Sequence, residues 1–266
     1  MPVLKHIFAA VFAVTLLTSC EKTIDVDLNE SSPALVVEAD ISDRPGPYYV
    51  RLAQSVNFDD PNTFPPVSGA LVTIADNAGN SEALKEVSPG LYETSVLEGV
   101  HRRIYTLTVV TGGEEYTATS TMPEPVTLEA LSVEEGGFIG EEEMEVVAWF
   151  QDTPNKKNYY RFRGWNGELS FNEAYAFEDK AYDGQYVRYA LEPDEDNEDL
   201  KIASGDHIEV ELQCVDPSVY LYFLTLAQYT GEGPPTAPAN PISNISNGAL
   251  GYFSAHTVSK RTIVVE

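Results

Sequence analysis

The sequence predicts a mainly β protein of two β-sandwich-like domains, the first immunoglobulin-like, the second with one buried helix. Three observations predict it. Tyrosine is abundant, with 15 copies in 266 residues, while methionine has 3, a balance that favours strands over helices. Short runs rich in Val, Ile, Tyr and Thr recur between clusters of Gly, Pro, Asn and Asp, which is the punctuation of strands and turns. The length left after an N-terminal export segment suits two domains at roughly 100–200 residues each.

The chain opens with residues 1–19, where Lys5 and His6 precede an uncharged run from Ile7 to Leu17. That run is too short for a bilayer core of ~30 Å, which takes about 20 helical residues. A basic start, a short apolar stretch and small residues before a cut describe an export signal. Leu17-Thr18-Ser19-Cys20 resembles the bacterial lipoprotein box, in which the cysteine becomes the acylated first residue. The alternative is an ordinary signal peptide that leaves a free thiol. The chain has 2 cysteines, so with Cys20 as lipid attachment site Cys214 has no partner within the chain and reads as a small buried thiol. One acyl chain anchors only marginally and stable anchoring takes at least two; the lipoprotein modification supplies several. Residues 20–33 follow as a polar tether, acidic after Lys22.

Residues 34–122 are expected to form the immunoglobulin-like sandwich, with about seven short strands. Leu35–Ala39 and Tyr48–Leu52 flank the turn Asp43-Arg44-Pro45-Gly46-Pro47. Ala70–Ile74 ends at Asp76-Asn77-Ala78-Gly79-Asn80, and Leu91–Thr94 follows Ser88-Pro89-Gly90. Ile104–Val110 and Glu115–Thr119 alternate across Gly112-Gly113, a hairpin signal. Met122-Pro123-Glu124-Pro125 breaks the pattern and reads as a boundary.

Residues 126–266 are expected to form the second domain. Val146–Phe150 and Tyr159–Trp165 read as strands, the latter returning through Asn166-Gly167 to Leu169–Phe171. Asp183-Gly184 suggests another hairpin, and Asp206–Val215 a further strand. A helix is predicted over about 217–229: Asp216 suits the N-cap, Pro217 the first turn, and Gly231 the end. It is apolar almost all round and too short to span a membrane, so it is expected to pack on the second sheet. Ala249–Ala255 and Thr262–Val265 are expected to close that sheet as two strands.

The formal charge is −26, a field that repels nucleic acid and anionic surfaces. Of the 4 histidines, His6 leaves with the signal, and His101, His207 and His256 have no neighbour at metal-ligand spacing. No recognised catalytic or nucleotide-binding motif is present, so the expectation is no enzyme, no cofactor and no metal. The acidic run Glu192–Asp199 lacks the glycine and spacing of an EF-hand loop, and reads as a solvated loop rather than a calcium site. The proline-rich segment from Gly231 to Pro241 is long for a connection. With Tyr252 and Phe253 it supplies the candidate contact residues Pro234, Pro235, Pro238, Asn240, Pro241, Tyr252 and Phe253; a loop packed on its own domain is the alternative.

Several segments taken together carry a resemblance: Leu35-Val36-Val37-Glu38 with Ser42–Pro47, Asn62–Ala70, Tyr159-Tyr160-Arg161-Phe162, Pro238–Ile245 and Gly248–Ala255. With the lipoprotein box, they resemble the Bacteroidota lipoproteins grouped as domain of unknown function 4249. The resemblance carries no catalytic residue. It implies an accessory role beside a TonB-dependent receptor in nutrient uptake, while the acidic residues after Cys20, which resemble the surface-export signals of some Bacteroidota lipoproteins though interrupted by Lys22, point to the outer membrane, outward-facing rather than periplasmic. Three alternatives stand beside this: direct glycan or peptide binding, for which Trp149 and Trp165 are candidates; a structural or adhesive surface protein; and a hydrolase with an unrecognised site.

Overall fold

Alternation along strand β1, Leu35–Ser42, shows how the pattern becomes a layer. Val37, Ala39 and Ile41 are fully buried on one face, while Glu38 and Asp40 point to the other, as the two-residue period of a strand requires. The computed structural model describes residues 33–56, 63–136, 143–171, 175–191, 200–230 and 239–266. Cys20, Pro234, Pro235, Pro238 and the acidic run 192–199 lie outside these.

The protein is mainly β. After β1 come β2 (Tyr49–Gln54), β3 (Leu71–Asp76), β4 (Ser81–Ala83), β5 (Lys85–Ser88), β6 (Leu91–Glu93), β7 (Ile104–Thr111) and β8 (Glu114–Thr121). The second half contributes β9 (Leu128–Gly136), β10 (Glu143–Gln151), β11 (Tyr159–Asn166), β12 (Leu169–Ser170), β13 (Tyr175–Glu178) and β14 (Tyr186–Leu191). β15 (His207–Cys214), helix α1 (Pro217–Thr230) and β16 (Leu250–Val264) complete the described elements.

A nine-stranded sheet runs β12-β11-β15-β16-β1-β2-β6-β5, with β13 also paired to β11. A four-stranded sheet, β4-β3-β7-β8, and a three-stranded sheet, β14-β10-β9, make up the rest. Two main cores result. One joins Val37, Ile41 and Leu52 to Val72, Ile74 and Leu107 of the four-stranded sheet. The other joins Tyr160, Phe162 and Leu212 to Val146, Phe150 and Val187 of the three-stranded sheet. Met122 belongs to the first core and Val126 to the second.

β16 crosses this division. Its first half pairs in parallel with β1, Val37 opposite Gly251 and Ile41 opposite Ala255. Its whole second half pairs antiparallel with β15, from Cys214–Thr257 to His207–Val264. Phe253 and Ala255 thus complete the first core from the C-terminal end of the chain, together with Ile245 and Ala249. The two closing strands expected from the sequence are one strand of 15 residues. The polar stretch Ser259-Lys260-Arg261 does not break it, because Lys260 finds Glu209 and Glu211 at 3.1 Å each across β15.

Two further expectations need correction. Asp183-Gly184 makes no hairpin, since β13 pairs with β11 and β14 with β10; the turn carries the chain from one sheet to the other. β4, β5 and β9 were not anticipated. The first two are short, and β9 carries Glu129, Glu134 and Glu135 among its apolar residues, which breaks the alternation that marks a strand.

Helix α1 forms where expected. Asp216 Oδ1 accepts from the backbone N–H of Ser218 at 2.8 Å and of Val219 at 3.1 Å, satisfying two of the orphan donors of a helix start. Its apolar side lies on the nine-stranded sheet, on the face opposite the second core. There Val219 and Phe223 cluster with Val215, Tyr159, Tyr220 and Tyr252. Cys214 is buried, and burial pushes its thiol up to about 11, so it is a neutral packing residue.

Candidate functional site

Strand alternation settles the fate of the contact residues expected near the C-terminus. Tyr252 and Phe253 are adjacent in β16 and so face opposite sides of the sheet. Phe253 is fully buried in the first core and offers nothing to a partner. Tyr252 lies under the helix, 5.0 Å from the ring centroids of both Tyr222 and Phe223, with its hydroxyl donating to Asp40 Oδ2 at 3.1 Å. Asn240 is exposed and Pro241 half-buried. The segment after them is bound to its own fold: Ile242 N–H donates to Thr225 Oγ1 at 2.9 Å, and Asn244 exchanges two hydrogen bonds with the Phe253 backbone, 2.8 and 2.9 Å long.

Beside Tyr252 the outer face of the nine-stranded sheet carries a buried polar seam. Arg161, Gln213, Glu211, Ser254 and His256 are all buried. Arg161 lies over the Phe223 ring at 3.7 Å and donates to Gln213 Oε1 at 3.2 Å. Gln213 in turn donates to Glu211 Oε1 at 2.5 Å. Burial pushes His256 below its ordinary pKa, which keeps the imidazole neutral. Ser254 Oγ lies 2.9 Å from His256 Nδ1, and Asp40 Oδ1 lies 3.8 Å from the same nitrogen. A serine–histidine–aspartate relay needs hydroxyl and carboxylate on opposite ring nitrogens. This trio does not have that geometry. His101 pairs with Asp43 Oδ2 at 3.2 Å, and His207 is exposed.

A second polar cluster joins the loop after β10 to the turn after β13. One oxygen each from Asp152, Asp179 and Asp183 lie within 4.8 Å of one another, an oxygen set of the type that holds hard cations. Every carboxylate already has protein donors. Asp152 accepts from Tyr160 Oη at 2.5 Å and Gly184 N–H at 2.7 Å. Asp179 accepts from Asn158 N–H and Asp183 from Asn155 N–H, each at 2.8 Å. Burial, then the neighbouring carboxylates, raise the Asp179 pKa. The cluster pins two loops together.

The tryptophans distinguish themselves from both clusters, because neither belongs to a hydrophobic core. Trp165, on β11, is half-buried with Arg163 4.9 Å and Lys260 5.3 Å from its ring. Its ring is taken up by cations of its own sheet. Trp149 is different. It stands on the outer face of the three-stranded sheet, because Val146, Ala148 and Phe150 of β10 occupy the inner one. Tyr186 of β14 lies diagonally beside it, the rings 5.8 Å apart between centroids and 19° from parallel. Tyr186 is 52% exposed.

A hydrogen-bonded chain holds this pair in place. Trp149 Nε1–H donates to Ser132 Oγ at 2.9 Å, and Ser132 Oγ–H donates to Glu134 Oε1 at 2.7 Å. Arg188, directly opposite Trp149 on β14, donates through Nη2 to Glu134 Oε2 at 2.8 Å and also to Glu145 Oε1. Arg188 and Ser132 hold the Glu134 carboxyl below the usual range, so it is ionised at neutral pH. The result is a stacked aromatic pair beside a connected set of polar groups. Sequence reasoning named Trp149 but not Tyr186, Arg188, Ser132 or Glu134. Only the register of β9 against β10 and of β10 against β14 brings them together.

Three comparisons place the chain among known proteins. A family model described as Domain of unknown function (DUF4249) matches residues 21–262. No curated protein matches the chain. Among solved structures, it is similar to a protein from Bacteroides uniformis ATCC 8492 provisionally called a carbohydrate binding protein. The two are 9% identical, with a TM-score of 0.26, over 88% of this chain and 100% of that one.

Proposed function

The chain belongs to the DUF4249 family, matched over residues 21–262, and from that premise we propose that it is a lipid-anchored binding protein of the outer membrane. Cys20 carries the acyl chains and residues after it give reach. The outer face of β9, β10 and β14 presents the binding surface, and the protein serves a TonB-dependent receptor as a non-enzymatic accessory in nutrient uptake. The observation that carries the binding reading is the placement of Trp149: a half-buried tryptophan held by a hydrogen bond beside the exposed Tyr186 and Arg188, outside every core. Large aromatics are the usual anchors of recognition surfaces. Among the described residues no helix is long and apolar enough to cross a membrane, so the acyl chains carry the anchoring in this reading. Confinement beside a receptor raises effective concentration without strong intrinsic affinity.

The test is chemical cross-linking on intact cells of the native host, followed by purification of the full-length protein. The expected result is a β-barrel receptor in near-equal amount, lost when Cys20→Ser releases the protein from the membrane. A protein that is lipidated and cross-links to no barrel would overturn the receptor role.

A further inference from the structure

Resting on the reading of this face as a binding surface, we infer that its ligand is a neutral oligosaccharide, with Trp149 and Tyr186 as the stacking platform and Arg188 and Glu134 as the groups that read its hydroxyls. Three properties of the face select that class. Its apolar part is a single aromatic step, far smaller than the ~800 Å² per partner of a stable protein interface. A pyranose ring needs no more, since it offers one apolar C–H face to an aromatic plane and hydroxyls around its rim. Next, the polar groups are fixed before any ligand arrives. Ser132, Glu134, Arg188 and Glu145 form one connected chain on three strands, so little ordering entropy is lost on binding. Glu134 offers acceptor lone pairs, and Arg188, 42% exposed along its side chain, offers N–H donors beyond the Nη2 that bonds both glutamates.

Charge makes the third selection. Arg188 is matched by two carboxylates, so the local balance is negative, and the whole chain carries −26. A uronic or sulfated glycan would meet repulsion from the site and the molecule alike. An extended peptide would need an open groove or the backbone of a free strand edge, whereas this surface is a sheet face.

The experiment titrates the full-length, lipidated protein in detergent with hexasaccharides of β-1,4-glucose, α-1,4-glucose, β-1,4-xylose and β-1,4-mannose, and with the anionic hexamer of galacturonic acid. Tryptophan fluorescence and calorimetry are the readouts. At least one neutral hexamer is expected to bind, and the galacturonic acid hexamer not at all. Trp149→Ala is expected to weaken binding by about tenfold or more, and Tyr186→Ala by several-fold, as truncated binding aromatics do. Trp149→Phe keeps a ring and loses the bond to Ser132, so it should retain part of the affinity; this separates a lost platform from a lost fold. Trp165→Ala should bind as the parent does. No neutral binding, preference for the anionic hexamer, or unchanged affinity in Trp149→Ala would each overturn the sugar assignment. A protein that ignores every hexamer but still captures a receptor on cells keeps the binding-protein reading and loses only the sugar.

Discussion

Asp216 shows how much one side chain can hold. One carboxylate oxygen caps helix α1, and the other accepts from the Thr121 backbone N–H at 3.0 Å and from the Ser120 hydroxyl of β8. Ser120 Oγ in turn accepts from the Ala255 N–H of β16 at 2.8 Å. Loss of an N-cap costs ~1 kcal/mol, and leaving buried donors unmatched costs a further ~1–3 kcal/mol. Asp216→Ala should therefore destabilise by about 2–4 kcal/mol in urea unfolding, and Asp216→Asn, whose single carbonyl oxygen can still cap the helix while its NH2 group faces the donors of Thr121 and Ser120, by an intermediate amount. Equal losses in the two variants would show that the bonds to Thr121 and Ser120, and not the helix cap, carry the stability. The cap was legible in the sequence because Asp-Pro before an apolar run is a local signal. The link to Ser120, 96 residues away, was not, since nothing local encodes it. The same holds for the binding face: Trp149 could be named, but its partners follow from strand register.

At the scale of the element, β16 decides the architecture, and Gly251 decides β16. Its φ is +91°, and a Cβ added there would stand 2.0 Å from the Val37 carbonyl oxygen of the strand with which it pairs. Backbone cannot swing aside as a side-chain end can, so the parallel seam between β1 and β16 must open or shift. Gly248 is the natural control, with a φ of +73° and nothing within 4 Å of such a Cβ. Gly248→Ala should cost only the left-handed strain of ~1–2 kcal/mol. Gly251→Ala should cost clearly more, about 3 kcal/mol or above, in the range of severe single substitutions. Similar melting temperatures for the two variants would mean that the seam yields easily. The sequence concealed this strand's length, because Ser259-Lys260-Arg261 resembles a stop. In the fold Lys260 meets Glu209 and Glu211 on one face of the strand, while Ser259 and Arg261 bond the Leu128 backbone on the other. Polar residues end a strand only when the fold gives them no partners.

At the scale of the molecule, two cores share one strand. Met122 lies in the first core and Val126 in the second; the Pro-rich break between them is a local feature, whereas the strand that joins the cores was not legible, because its parallel pairing brings together residues as distant as 36 and 250. The physical consequence is coupling. Phe253, Ala255, Ile245 and Ala249 are core residues of a sandwich otherwise made by residues 35–122. Removal of a buried phenylalanine alone costs ~3–5 kcal/mol, against a total stability of ~5–15 kcal/mol for a domain. A fragment of residues 33–125 would lose all four and expose the hydrogen-bonding edge of β1 that β16 covers, so it should show no cooperative unfolding transition and should aggregate through that edge. Appending residues 239–266 to it by a flexible linker should restore a transition. In the intact protein, tryptophan fluorescence, which reports only on Trp149 and Trp165 on β10 and β11, should coincide with the far-ultraviolet dichroism of the whole chain in urea. A fragment that melts sharply by itself would assign β16 to the second core and make its pairing with β1 a late docking step; two resolved transitions in the whole protein would carry the same meaning.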